Sequence, residues 1–380
     1  MATAAPERLA GRLLDADAHL YLEPEVMESL LEPIGRDWVI EMLETYKRSE
    51  TFAADKARGA DEIWNVKGLA AYGACEPEVR VEAMDRMGIA RQLSFPNTLG
   101  REAAHVTPEA VQVLRNYNDY CLDWTRRTGG RSIGVCSINM KSHEHAMAEA
   151  RRIIDAGAKA IVLGVSSPPG GSSLANPMWN ELWALCSEAN VVVTMHIGSA
   201  GQFSGAPDDP ILMPRALWDA PSLKSPFPEQ PGSEERIGPI WTIIAPIPVE
   251  ILLTSMVMGG VFERFPALRL GIIEFGAQWI GPLAERMDLH ARLMAKVGAA
   301  LPLMPSEYLT RNVRVTPFFS EPVGLYVERY GMEDLYVFST DFPHIEGGRD
   351  PIGKFLASVG PLGDEAVDKF FVDNGRLLFA

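Results

Sequence analysis

Short β-branched and aliphatic runs alternate with stretches whose apolar residues recur every three or four positions along most of the 380 residues. The runs read as strands and the stretches as helices. RLLDADAH (12–19) is the first strand, with polar residues at its end. Residues 20–90 form a long excursion, helical around Glu25–Glu50 and looped after it. RQLSFP (91–96) is the second strand, followed by a helix over 108–127. SIGVCSI (132–138) is the third, with the helix His143–Ala156 after it. AIVLGV (160–165) is the fourth, and a Gly/Ser/Pro cluster at 166–173 closes it. A helix over 177–189 leads to VVVTMH (191–196), the fifth. A proline-rich loop over 197–247 follows, far beyond the usual βα connection of about 2–6 residues. A helix over 249–259 leads to LRLGIIE (268–274), and one from 278 to 297 to VRVTPF (313–318). LYVFSTD (335–341) is the eighth strand.

Eight strand–helix units in one direction predict an α/β fold, a (β/α)8 barrel, as a single domain over 1–380. The excursion 20–90 is then an insertion after strand 1, and 197–247 a lid loop after strand 5. A doubly wound sheet would want a glycine-rich phosphate turn after its first strand. Here that strand ends in Asp-Ala-Asp-Ala-His. The most lipophilic stretch, Ile237–Phe262, carries Glu250 and three prolines. It falls short of the roughly 18 uninterrupted apolar residues of a membrane span, and reads as buried helix and loop.

Charge narrows the partners. The 35 Lys+Arg against 50 Asp+Glu leave a net charge of −15, a poor match for a phosphate backbone or an anionic membrane surface. The four cysteines show no C-x-x-C spacing, and a reducing, cytoplasmic setting is the simplest reading. The N-terminal stretch lacks an apolar core of signal-peptide length.

In a barrel of this kind the site is built at the carboxyl ends of the strands. Strand 1 ends with Asp15, Asp17 and His19, which a period of two places on one side. Two of them suffice for one metal, with Asp15 lower down as a third ligand or a supporting partner. Strand 5 ends in His196, strand 6 in Glu274, and strand 8 in Asp341 with His344 three residues on. Singly, each has an ordinary structural explanation: a core histidine, a helix cap, a turn. Together they do not, because three or four carboxylates in one funnel need cations. His290 lies well into the helix after strand 6, too far from the mouth by geometry alone. No G-x-S-x-G elbow, Walker loop or H-E-x-x-H motif is present.

The sequence resembles the amidohydrolase-related branch that contains the aminocarboxymuconate-semialdehyde and resorcylate-type decarboxylases. The landmarks are DADAH (15–19), EAMDRMGIARQLSFP (82–96), VTMHIG (194–199), GGVFERFPALRLGIIEFGAQWI (259–280), PSEY (305–308), STDFPH (339–344) and NGRLLF (374–379). Two departures stand out. Asp17 holds the place of the usual first His or Glu, and Glu274 replaces the usual strand 6 histidine that serves in proton transfer. With Asp-x-Asp-x-His and this glutamate, the chain resembles a sub-branch of nonheme diiron monooxygenases acting in platensimycin–platencin diterpenoid biosynthesis. That resemblance implies metal ligands at Asp17, His19, His196, Glu274, His290, Asp341 and His344, with Glu274 and Asp341 also catalytic. It is the resemblance alone that raises His290.

The activity implied is hydroxylation, by two Fe ions and O2, of a bulky hydrophobic substrate of diterpenoid type. The acyl group is expected as a coenzyme A thioester, with an electron donor and a homodimeric enzyme. The alternative is one Zn or Mn ion in a hydrolase or nonoxidative decarboxylase, with Asp341 as base. Phe203, Trp218, Phe227 and Trp241 would line the lid. Arg58, Arg80, Arg101 and Arg126 are candidates for a basic coenzyme A patch.

Overall fold

The computed structural model describes residues 3–35, 38–96, 105–199, 220–223, 241–298 and 301–379. Its strands are β1 (Leu13–Leu20), β2 (Ile89–Pro96), β3 (Ser132–Gly134), β4 (Cys136–Ile138), β5 (Ala160–Leu163), β6 (Val192–His196), β7 (Leu270–Ile273) and β8 (Val313–Val315). Every pairing is parallel, in two sheets ordered β1-β2-β3 and β4-β5-β6-β7-β8. β3 and β4 are halves of the one expected strand, divided at Val135, whose N–H donates to the Ser94 carbonyl at 2.9 Å.

The expected eighth strand keeps its place but not a regular ladder. Tyr336 bridges to Val315 and Phe342 to Ala18, both parallel, so this segment links the β8 edge of one sheet to the β1 edge of the other. Its regular pairing fails because the Thr340 and Asp341 N–H groups both turn to the Asp17 carbonyl, at 3.3 and 2.8 Å. The architecture is the α/β barrel that the alternating pattern predicts, with all strand carboxyl ends on one side.

Helices return between the strands for local reasons. The helix Pro108–Arg127 starts with proline at its first position and the Thr107 side chain accepting from the Ala110 N–H. It buries Val113, Tyr117, Cys121 and Trp124 against the sheet. His143–Asp155 is capped by Ser142 in the same way. One apolar cluster fills the space between strands and helices. A smaller one, including Leu14, Leu93, Phe95, Val162, Val192 and Val337, fills the barrel.

The insertion departs from the expectation of a loop after Glu50. Glu50–Arg58 is a helix, capped by Ser49, and Pro77–Met87 is another, ended by Gly88 in the left-handed conformation. Neither has a clean apolar stripe, so the Ser49 cap of the first and the leading proline and Gly88 stop of the second decide where periodicity is weak. In the lipophilic stretch, the helix Pro246–Met258 buries Val249, Leu252, Leu253 and Met256. Among the described residues no helix is long and apolar enough to cross a membrane. Most of the expected lid, with Phe203, Trp218 and Phe227, lies outside the described residues, as do Arg101 and the side chain of Trp241.

Candidate active site

A register shift in β1 shapes the site. Asp15 pairs with Gln92 and Ala18 with Ser94, so three steps on β1 match two on β2. One extra residue resets the alternation of side chains. Asp15, Asp17 and His19 therefore do not act as one row. The Asp15 carboxylate accepts from the Thr340 hydroxyl at 2.6 Å, Gln92 Nε2 at 2.7 Å, the Thr340 N–H at 2.8 Å and the Asp17 N–H at 3.2 Å. Its oxygens are spoken for, which makes it a support and not a ligand. Burial pushes its pKa up to about 7, against the lowering effect of the Thr340 and Gln92 donors.

Behind it stands Arg80, fully buried. Its guanidinium donates to Gln92 Oε1 at 3.0 Å, the His19 carbonyl at 2.7 Å and the Gly73 carbonyl at 2.6 Å. Sequence reasoning placed Arg80 in a surface patch for coenzyme A; the structure places it beneath the site, because it projects inward from the insertion helix. The other two described candidates are engaged with acids. Arg58 pairs with Asp55 and Glu62 at 2.7 and 2.6 Å, and Arg126 with Asp123. No basic patch forms from these three.

Asp17, His19, His196 and Glu274 each bring one ligating atom to within 4.8 Å of all the others, and all four are buried. His196 ends β6, and Glu274 directly follows β7. The Glu274 backbone is pinned by its N–H to Thr316 Oγ1 at 2.7 Å. Glu274 has φ 63° and Asp341 φ 52°, left-handed conformations uncommon for such residues and typical of functional sites.

The donor set fits a cation. His196 Nδ1 lies 2.7 Å from the Ile197 carbonyl, which only accepts, so Nδ1 carries the proton. Nε2 is turned to Asp17 Oδ1 at 3.3 Å and Glu274 Oε2 at 3.2 Å. Two buried carboxylate oxygens meeting at one imidazole nitrogen require positive charge at that point. His19 gives the same sign. Its side chain is 2% exposed, and Nε2 sits 3.2 Å from Asp341 Oδ1 and 3.7 Å from Asp17 Oδ1, yet neither ring nitrogen makes a hydrogen bond. Burial, with His344 beside it, holds the His19 pKa well below 6.5 against the pull of Asp341, which favours a ring nitrogen open to a cation. Burial likewise pushes Asp17 up to about 6, against the pull of His196.

His19, Asp341 and His344 form a second buried group that shares His19 with the first. His344 Nδ1 is 3.0 Å from Asp341 Oδ1, and the His19 and His344 rings stack at 3.6 Å. Burial alone would raise the Asp341 pKa, but His344 and His19 hold it below the usual carboxylate range. His290 joins neither group. It is exposed on the helix Ile280–Ala295, whose buried face is carried by Leu283, Ala284 and Met287.

The mouth opens on a small cavity with space of about 20 Å³ for water-sized occupants, enough for a single water. Asp17, Glu274, Asp341 and Glu346 line it with Phe318 and Phe319. Four contributors escaped sequence reasoning: Arg80 in its actual role, Gln92, Thr340 and Glu346. Gln92 and Thr340 sit within strand patterns already read as site-forming, so polar residues inside otherwise apolar runs were the available signal. Glu346 had none, lying in a turn after the last motif.

Comparison with known proteins gives a consistent answer. The family described as Amidohydrolase matches residues 15–380. The chain is 22% identical over 308 residues to 2-amino-3-carboxymuconate-6-semialdehyde decarboxylase of Dictyostelium discoideum, covering 79% of this chain and 75% of that protein. Its fold is similar to an amidohydrolase from Mycobacterium avium subsp. paratuberculosis K-10, with TM-score 0.62, 22% identity, and 80% and 74% of the two chains covered. It is also similar to 5-carboxyvanillate decarboxylase of Novosphingobium aromaticivorans with bound manganese, with TM-score 0.63, 18% identity and 99% of each chain covered.

Proposed function

The chain belongs to the amidohydrolase family, and from that premise we propose a metal-dependent decarboxylase or hydrolase working with one Mn2+ or Zn2+. The observation that carries this is the convergence of Asp17, His19, His196 and Glu274 within 4.8 Å, with imidazole nitrogen facing carboxylate oxygen. These four residues would hold the ion. Bound there, the ion would supply Lewis acidity toward a substrate oxygen. The protein does the rest. His196 is oriented by the Ile197 carbonyl, and Glu274 by the Thr316 hydroxyl. Asp341, kept ionised by its two histidine neighbours, is the carboxylate placed to take up or return a proton at Oδ1. The apolar walls at Phe318 and Phe319 limit water.

Elemental analysis of the purified protein tests this. About one manganese or zinc per chain, with no O2 consumption, is the expected result. Two irons per chain with substrate-dependent O2 uptake would sink it in favour of a second reading. That reading is hydroxylation of a hydrophobic coenzyme A-linked acyl group, with an electron donor. One observation favours it: the group His19, Asp341 and His344 lies directly beside the first and offers donors for a second ion.

A further inference from the structure

Glu321 belongs to neither metal-binding group, yet its carboxylate ties together two turns at the mouth of the barrel. Oε1 accepts from the Gln278 N–H at 3.0 Å, the Ala277 N–H at 3.1 Å and the Tyr326 hydroxyl at 3.2 Å. Oε2 accepts from the Phe318 N–H at 2.7 Å and the Ala277 N–H at 2.9 Å. Ala277 and Gln278 lie in the turn after β7, three and four residues past Glu274. Phe318 lies in the turn after β8 and walls the cavity. The three backbone partners can only donate, so both oxygens must accept. An amide in the same place would turn an N–H group toward one of those donors.

Glu274 stands at the other end of the clamped turn. Its N–H donates to Thr316 Oγ1 at 2.7 Å, and its φ of 63° is one that a residue with a side chain keeps only when its surroundings enforce it. Thr316 fixes the entry to the turn and Glu321 its exit, both from the segment at the end of β8 and beyond. Gly276 lies between them at φ 66°. A Cβ there would lie 2.9 Å from the Phe318 ring and 3.1 Å from Glu321 Oε2, so the two turns meet with no room for a side chain. Slackening at Ala277 and Gln278 therefore lets the Glu274 backbone relax and its carboxylate swing.

We propose that Glu321 is a positioning residue for the reaction: it fixes the direction of the Glu274 carboxylate toward the ion and the place of the Phe318 wall beside it. The proposal deepens the single-ion reading above and rests on Glu274 as a ligand. Ala277 and Gln278 also lead into the helix Ile280–Ala295, so a carboxylate here steadies that helix as well. Stability falls in either role, and coupling to Glu274 separates them.

The test uses the full chain and a double-variant cycle on Mn2+ affinity in wild type, Glu321→Gln, Glu274→Gln and the two combined. Affinity is read from the free-ion electron paramagnetic resonance signal, which reaches weak binding. Hydrogen exchange by mass spectrometry follows the amides of 275–278 and 318. Glu321→Gln weakens Mn2+ about tenfold, as expected for losing a group that orients a ligand. Its amides at 275–278 and 318 exchange about tenfold faster, while those of the helix Pro108–Arg127 keep the wild-type rate. In the Glu274→Gln background the same change costs no further Mn2+ affinity. A full additional loss in that background overturns the proposal, since Glu321 would then act through the fold at large. Wild-type Mn2+ affinity in Glu321→Gln alone overturns it too. If exchange quickens throughout Glu321→Gln, then Glu321→Asp, which keeps both oxygens on a shorter arm, takes its place in the cycle and is judged by the same two outcomes. Wild type that takes up no Mn2+ refutes the single-ion reading instead. Exchange in the metal-free variants then judges the clamp, and an unchanged rate at 275–278 overturns it.

Discussion

Asp15 and Asp17 are two residues apart on one strand, at 0% and 1% exposure, and they meet opposite fates. Asp15 takes four hydrogen bonds from the chain and has Arg80 one residue behind it through Gln92. Asp17 is aimed at a histidine nitrogen and another carboxylate. The lower layer is complete within the polypeptide; the rim is not. A single inserted residue in the β1 register separates a layer that supports from a layer that binds. Burial alone does not identify a ligand site, but burial with unmet demand does.

The sharpest way to break this contrast is at the rim. His19→Ala and Asp17→Asn should each abolish turnover and weaken Mn2+ by more than about a hundredfold, because each removes one of few ligands. Retention of full Mn2+ stoichiometry in both variants would erase the distinction between the layers. In the lower layer the loss should appear as stability. Arg80→Met should destabilise by at least about 1–3 kcal/mol in urea unfolding, the cost of leaving buried acceptors such as the His19 and Gly73 carbonyls without their donor.

Acidity probes the same layer. Asp15 has an unfolded value of 3.8 and a folded value of about 7, so the folded state binds more protons between them. Stability of the metal-free protein should therefore fall as pH rises from about 4 to about 7, by a few kcal/mol. Asp15→Asn should flatten that slope in pH-dependent denaturation, and an unchanged slope would place the titration elsewhere. Adding Mn2+ at about a hundred times its dissociation constant to chelator-treated protein should raise stability by about 2.7 kcal/mol, read as a shift in melting temperature. The smallest effect is expected at exposed His290. His290→Ala should leave Mn2+ binding unchanged and stability within about 0.5 kcal/mol.

Much of the scaffold was legible because parallel strands buried on both faces leave uninterrupted apolar runs. VVVTMH and LRLGIIE locate β6 and β7 and end on His196 and Glu274, the residues that meet at the rim. What escaped was of two kinds. The β1 bulge has no composition signal, since it arises from how Asp17 and Thr340 backbones share hydrogen bonds. Arg80 sits on a helix whose apolar stripe is interrupted, so its inward direction depends on a tertiary partner, Gln92. His290 shows the converse. Helical geometry placed it far from the mouth, family resemblance drew it in, and it stands exposed on its helix, in neither group.

The backbone at Glu274 and Asp341 carries a last consequence. Both are held in left-handed conformations that disfavour side chains by roughly 1–2 kcal/mol each. Glycine at either position would relax the chain while emptying the rim of an oxygen donor. Laboratory evolution selecting only for heat endurance should therefore drift toward a sturdier, inert barrel that has given up one or both of these acids.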